Sequence, residues 1–215
     1  MSELSAPHFS GAPRISRRRA IVAVVAGLLV TGAFIGGLWA LIAPSIHGVV
    51  ALNHEGERLH DYLANEADHF FVAAFLMLGI LIVFAVVAAV LMWQWRAHRG
   101  PGMVAALSIG VIGAAAAAAG VAAALVHLRY GTVDTAGAPV TVDKPVHYFT
   151  EAPPVFFGHA PLQIACTVLL PAAAAALVYA LLVAAAGRDD LDAYPPVDSP
   201  QPPAAVTVSP GGAAF

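Results

Sequence analysis

Charge is scarce in this 215-residue chain: Asp, Glu, Lys and Arg together make up 11% of it, against about 25% in an average soluble domain. Hydrophobic residues make up 60%, which excludes an ordinary water-soluble enzyme. Lysine occurs once, at Lys144, and the formal net charge is −3. That balance excludes a nucleic-acid binder resting on a basic surface. Cysteine also occurs once, at Cys166, so there is neither an internal disulfide framework nor a cysteine-based zinc site. No GxSxG, no GxGxxG after a strand and no phosphate loop is present, and Ser45 has no convincing His–Asp partner. These absences predict no catalysis and no cofactor.

What the chain has is four long stretches without Asp, Glu, Lys or Arg: Ala20–Ala43, Phe70–Trp95, Met103–Leu128 and Pro161–Ala186. Each exceeds the roughly 20 residues that span a hydrocarbon core. Backbone in lipid must satisfy its own hydrogen bonds, so each stretch reads as a helix. The predicted fold class is therefore an all-α membrane protein with four transmembrane helices and two extracytoplasmic loops. The first segment follows Arg14, Arg17, Arg18 and Arg19. It is longer than the about 7–15 apolar residues of a signal peptide and is expected to be a retained anchor.

Counting basic residues beside the segments sets an orientation. Arg14, Arg17, Arg18, Arg19, Arg96, Arg99 and Arg188 lie on one side, and Arg58, Arg129 and Lys144 on the other. Both termini and the short turn at 96–102 are thus expected in the cytoplasm, with the loops 44–69 and 129–160 outside. The organisation reads as a basic segment, 1–19, a four-helix domain, 20–186, and a Pro-rich tail, 187–215, expected to be disordered. Trp93 and Trp95 at the inner side, and Trp39 and Tyr130 at the outer side, suit the headgroup level. The second and third helices are expected to form a tight hairpin.

In lipid, close approach of small residues drives helix packing. Gly32 and Gly36 stand at GxxxG spacing, with Ala33 and Gly37 beside them. In the third segment Ala106, Gly110, Ala114 and Ala118 share one line, and Gly113, Ala117 and Val121 a neighbouring one. Gly32, Gly36, Gly110 and Gly113 are the predicted packing positions, and the third helix is expected to be central. Pro171 is expected to kink the fourth helix. No charged residue lies at mid-membrane, which argues against a coupled carrier acting alone.

The first loop predicts a short amphipathic helix over Asn53–Asp68, capped by Asn53, with Leu52, Leu59, Tyr62 and Leu63 as its apolar stripe and Arg58 in reach of Glu55 and Asp61. It also concentrates histidines and acids. His54, Glu57, His60 and Asp61 are candidate metal ligands, although Arg58 stands where an HExxH motif needs its second histidine. The second loop predicts a hairpin of Thr132–Asp134 with Val140–Val142. The aromatic stretch His147, Tyr148, Phe149, Pro153, Pro154, Phe156 and Phe157 follows, and it re-enters the membrane interface, packs on the first loop or binds a partner.

Several blocks carry a resemblance: Ile15–Arg19, Leu91–Arg96 with His98–Pro101, Leu128–Gly131, Ala152–Phe157 and Arg188–Leu191. Together they resemble a family of small mycobacterial and related actinobacterial membrane proteins known only as a domain of unknown function. The resemblance covers most of residues 14–198. An excess of arginine over lysine and the rarity of asparagine, found only at Asn53 and Asn65, also suit a GC-rich actinobacterial genome. The family implies a plasma-membrane protein and supplies no active site. The resulting expectation is a non-catalytic accessory or scaffold subunit of a cell-envelope assembly. Its partners would be the lipid bilayer and membrane or envelope proteins met through the outer loops, with no nucleic acid. An oligomeric transporter or channel subunit, and an extracytoplasmic sensor or metal-dependent enzyme, are the alternatives.

Overall fold

The computed structural model describes residues 16–186; most of the basic N-terminal segment and the Pro-rich tail lie outside the described residues. In chain order the elements are α1 (Arg17–Ile42), β1 (Ile46–Leu52), β2 (Arg58–Tyr62), α2 (His69–Gln94), α3 (Pro101–Tyr130), β3 (Val146–Glu151) and α4 (Pro161–Ala184). All four helices are long and apolar enough to cross a membrane. Large apolar side chains cover their outsides as well as their contacts. Phe34 and Leu41 are each 75% exposed, and Phe71, Val83, Ile109 and Leu177 are exposed too. In water this surface would carry a large apolar patch; in lipid it is the expected one.

Two threonine hydroxyls within the helices are satisfied by their own helix. Thr31 Oγ1 donates to the Gly27 carbonyl at 2.9 Å and Thr167 Oγ1 to the Gln163 carbonyl at 3.3 Å, bonds that ease a hydroxyl into a helix. Gln163 Oε1 accepts the Ala160 N–H at 3.1 Å at the start of α4, where Pro161 occupies the first turn. Pro171 is buried within α4, and Cys166 lies on its exposed side.

α3 is the most buried helix, and its closest backbone approach is to α1. Ala106, Gly110, Ala114 and Ala118 are all buried. A Cβ on Gly32 would stand 2.6 Å from Ala114 Cα, and one on Gly36 2.9 Å from Ala118 Cα. At Gly110 and Gly113 it would meet the flexible ends of Leu28 and Leu29 at 2.5 and 2.8 Å. α4 lies on α3 and on α2, whereas α2 approaches α3 less closely despite the short connection. The pair expected to form a tight hairpin is therefore bridged largely by α4. Small residues let α3 nest against α1, while Phe84, Met92 and Trp93 on α2 are too bulky for such an approach.

At the end holding the 95–100 turn, the Arg99 guanidinium lies 4.1 Å over the Trp93 ring while its Nε donates to the Trp93 carbonyl at 2.8 Å. Trp93 also meets the buried Tyr179 edge-on at 5.4 Å. Trp39 corrects its sequence placement. It is 0% exposed rather than at a headgroup belt, and its Nε1–H donates to the Ala73 carbonyl of α2 at 2.9 Å. An indole with an internal acceptor gains nothing from the interface.

The fold is not all-α. β1 pairs antiparallel with β2 and with β3, giving a three-stranded sheet in the order β2-β1-β3. The helix expected over Asn53–Asp68 is instead a hairpin turn, strand β2 and one 3₁₀ turn at Glu66–Asp68. Asn53 Oδ1 accepts the N–H groups of Glu55 and Glu57 at 2.9 and 2.8 Å, so it organises the turn between β1 and β2 rather than a helix start. The predicted hairpin of the second loop is likewise replaced. Only a Thr141–Lys144 bridge forms there, and β3 pairs with β1.

The register sorts the sheet into two faces. Gly48, Tyr62 and Phe149 form one row, and Val50, His60 and His147 the next. Gly48 leaves room for the Phe149 ring, whose Cε1 a Cβ there would meet at 2.7 Å. Gly48→Val is expected to expel that ring and destabilise the sheet end by about 2 kcal/mol. Hydrogen exchange checks this: β1 and β3 amides lose protection while those of α1 and α3 keep it.

Candidate functional site

Because β1 follows α1, β2 leads into α2 and β3 lies between α3 and α4, the sheet gathers both long loops at one end of the bundle. The connection to α2 is fastened twice. Glu66 Oε2 accepts the His47 backbone N–H and lies 2.7 Å from His47 Nδ1, and His69 Nδ1 lies 2.8 Å from the Ser45 carbonyl oxygen.

The inward face of the sheet is partly covered by the second loop and by aromatic contacts, although Arg58 and His60 on β2 remain exposed. Arg58 donates to the carbonyls of Ala136 and Ala138, rather than pairing with Glu55 or Asp61. His60 stacks on Phe149 at 5.2 Å and meets Tyr62 edge-on at 5.1 Å, and Tyr62 in turn meets Phe70 at 5.2 Å. Tyr62 Oη donates to Glu151 Oε2 at 3.2 Å. Burial, then the Glu151 charge and this hydrogen bond, push the Tyr62 hydroxyl above its ordinary pKa, so it remains a donor across the physiological range.

The outward face is open. Leu59, Ala51 and Val146 form one row across it, and Asp61, Val49 and Tyr148 the next. Leu59 is 55% exposed, Tyr148 67%, and Val146 is exposed as well.

Below the sheet lies a cavity of about 670 Å³, within the usual range of ligand pockets. Its walls are Phe70 and Phe71 of α2, Ala123, Val126 and His127 of α3, Ile164 of α4, and the segment from Glu151 to His159. Phe157 in that segment meets the exposed, α2-borne Phe75 edge-on at 4.9 Å. The aromatic stretch of the second loop is therefore divided: Tyr148 faces out, Phe149 packs inside the sheet, and Pro153 to Phe157 wall the cavity. Sequence reasoning passed over Glu151, His159 and Ala123; the one signal for Glu151 was a lone acid just before the proline-aromatic run.

The four candidate metal ligands are not brought together. His54 and Glu57 sit in the β1–β2 turn, where Glu57 Oε2 accepts from Asn53 Nδ2 at 3.3 Å. His60 faces inward against Phe149, while Asp61, one residue on, faces outward and accepts the Tyr62 N–H at 2.8 Å. A spacing of three residues aligns side chains on a helix but splits them between the faces of a strand, as does the adjacency of His60 and Asp61. Among the described residues no three His, Cys, Asp or Glu side chains gather as a metal site.

Comparison with known proteins agrees with the resemblance drawn from the residue blocks. A chain of Mycobacterium leprae named as an uncharacterised protein is 58% identical over 191 residues, covering 89% of this chain and 96% of that one. Uncharacterised proteins of Mycobacterium tuberculosis and Mycobacterium bovis are each 58% identical over 173 residues, covering 80% of this chain and 90% of theirs. No solved structure matches. A family model described as a protein of unknown function matches residues 28–193, so the chain belongs to the DUF2567 family.

Proposed function

We propose that the protein is a non-catalytic accessory subunit of a cell-envelope assembly. It would sit in the plasma membrane with its sheet outside, and the open sheet face would be the surface that its partner covers. The observation that carries this reading is the apolar row Leu59–Ala51–Val146, with Val49 and Tyr148 beside it and Asp61 at its edge, on an ordered platform turned away from the bundle. Exposed apolar patches on ordered surfaces mark contact sites. The basic residues support the orientation: Arg17, Arg18, Arg19, Arg96 and Arg99 lie at the end opposite the sheet, where the described residues include no Asp or Glu.

Purification of the tagged full chain from its native membrane in several mild detergents tests the reading. The expected result is a membrane or envelope protein recovered in constant ratio with the wild type and lost from the Leu59→Glu/Tyr148→Glu variant. That variant changes only exposed side chains and is expected to keep the wild-type melting profile. Recovery of the wild type alone in every detergent, or equal recovery with both chains, would overturn it.

The channel alternative is weakened by packing. The small-residue face of α3 that would line a path is filled by α1, with Gly32 on Ala114 and Gly36 on Ala118. The sensor or metal-enzyme alternative draws no support from the separated positions of His54, Glu57, His60 and Asp61.

A further inference from the structure

We propose that the cavity beneath the sheet binds one lipid from the leaflet at that end of the bundle: a chain occupies the apolar part, and an ammonium-bearing head lies against Glu151. The inference shares the membrane placement with the preceding proposal, but neither its partner nor its orientation.

Three observations lead to it. The first is depth. The cavity wall runs down α3 from Gly131 to Ala123, and the seven steps from Tyr130 down to Ala123 cover about 10 Å at 1.5 Å each. A space that begins at the helix ends and descends that far is continuous with the zone of lipid chains rather than with bulk water. The second is lining. Phe70, Phe71, Phe156 and Phe157 put four aromatic rings in the wall beside Val126 and Ile164, and Phe71 is itself exposed on the helix surface, so the apolar part borders the acyl region. Water in such a space finds few partners, whereas a chain replaces it without losing any.

The third is charge. Glu151, His127 and His159 are the ionisable residues in the wall. Glu151 gives one oxygen to Tyr62 and keeps further acceptor capacity. A carboxylate without a cationic residue in the same wall repels an anionic head and attracts an ammonium group. The imidazoles can donate to a phosphate at the same time. A zwitterionic head with a primary ammonium group and a phosphate meets both demands, whereas a glycerol phosphate head keeps the negative charge and lacks the cation.

Native mass spectrometry of the purified full chain, titrated separately with dioleoyl phosphatidylethanolamine and dioleoyl phosphatidylglycerol, tests the site. One adduct per chain is expected with the ethanolamine lipid at a concentration roughly tenfold lower than with the glycerol lipid, the scale of one charge-assisted hydrogen bond. Glu151→Gln keeps an acceptor for Tyr62 and is expected to abolish the preference. Ala123→Phe places a ring in the lower wall from an exposed helix position and is expected to remove the tight adduct while leaving the melting temperature in lipid-free detergent unchanged. Equal binding of the two lipids by the wild type, or binding by Ala123→Phe that matches the wild type, would overturn the proposal. Because Leu59 and Tyr148 are not in the cavity wall, the Leu59→Glu/Tyr148→Glu variant retains the adduct even if no protein partner exists.

Discussion

Replacing Gly32 and Gly36 together by leucine is expected to abolish the folded bundle. The carbon atom that each change adds would stand 2.6 Å from Ala114 Cα and 2.9 Å from Ala118 Cα, and both obstacles are backbone. No rotamer change relieves such a contact, so α1 must retreat from α3 along the most intimate interface in the molecule. In lipid that retreat is costly for a specific reason. Apolar side chains are as well solvated by acyl chains as by one another, so helix association depends on close packing rather than on burial from water. Overpacking that side chains can relieve costs about 1–3 kcal/mol per site; with backbone as the obstacle at two sites on one interface the cost exceeds that, against a total stability of about 5–15 kcal/mol. Thermal unfolding in mild detergent gives the readout: the double variant shows no cooperative transition. Gly27→Ala and Gly37→Ala provide the contrast, since a Cβ at either position meets nothing within 4 Å. Each is expected to hold or raise the melting temperature, because alanine is favoured over glycine in a helix by about 1 kcal/mol. Unfolding of the double leucine variant at the wild-type temperature would show that the α1–α3 contact does not hold the bundle.

Trp39→Ala is expected to cost about 3 kcal/mol, the lower end of the range of about 3–5 kcal/mol for deleting a buried large aromatic. The lower end applies because the transfer term shrinks where lipid replaces water, while the lost dispersion contacts around the void do not. Trp39 is fully buried among Ile35, Ala73, Met77 and Ala119, and its indole N–H reaches the Ala73 carbonyl at 2.9 Å. It thus ties α1 to α2, two helices that otherwise touch little. Trp39→Phe keeps most of the volume and loses the hydrogen bond, and is expected to cost about 1 kcal/mol. The same unfolding measurement separates the two. Equal melting temperatures for Trp39→Ala and the wild type would show that the buried indole does not hold α1 to α2.

The pattern erred on Trp39 for a reason that recurs in the chain. An aromatic residue near the end of an apolar segment suits either a headgroup belt or an internal acceptor, and only the position of Ala73 on another helix decides between them. The two small-residue lines of α1 pose the same ambiguity. Gly32–Gly36 and Ala33–Gly37 have equal spacing, yet the first meets α3 and Gly37 meets nothing. In the first loop Leu59, Tyr62 and Leu63 fall at helical spacing by coincidence, while the strand signal of β1 is blurred by the adjacent Val49, Val50, Ala51 and Leu52. The partner that makes β1 a central strand is β3, which lies beyond two whole helices in the chain. The cavity is less legible still. Ala123, Glu151 and Ile164 carry no shared pattern, and they meet only because α3, the sheet and α4 converge at one end.

The sequence by itself determined the solvent and the count of long helices. The absence of charge over some two dozen residues is a local property, and the desolvation cost of backbone polar groups in lipid leaves a helix as the single-segment solution. The identities of the contacting glycines, the sheet that joins two distant loops, the separation of His60 from Asp61, and the cavity under the sheet were decided by tertiary structure. Each depends on which non-neighbouring segments pack against each other, and pairing between distant strands and helices leaves no period in the chain from which to read it.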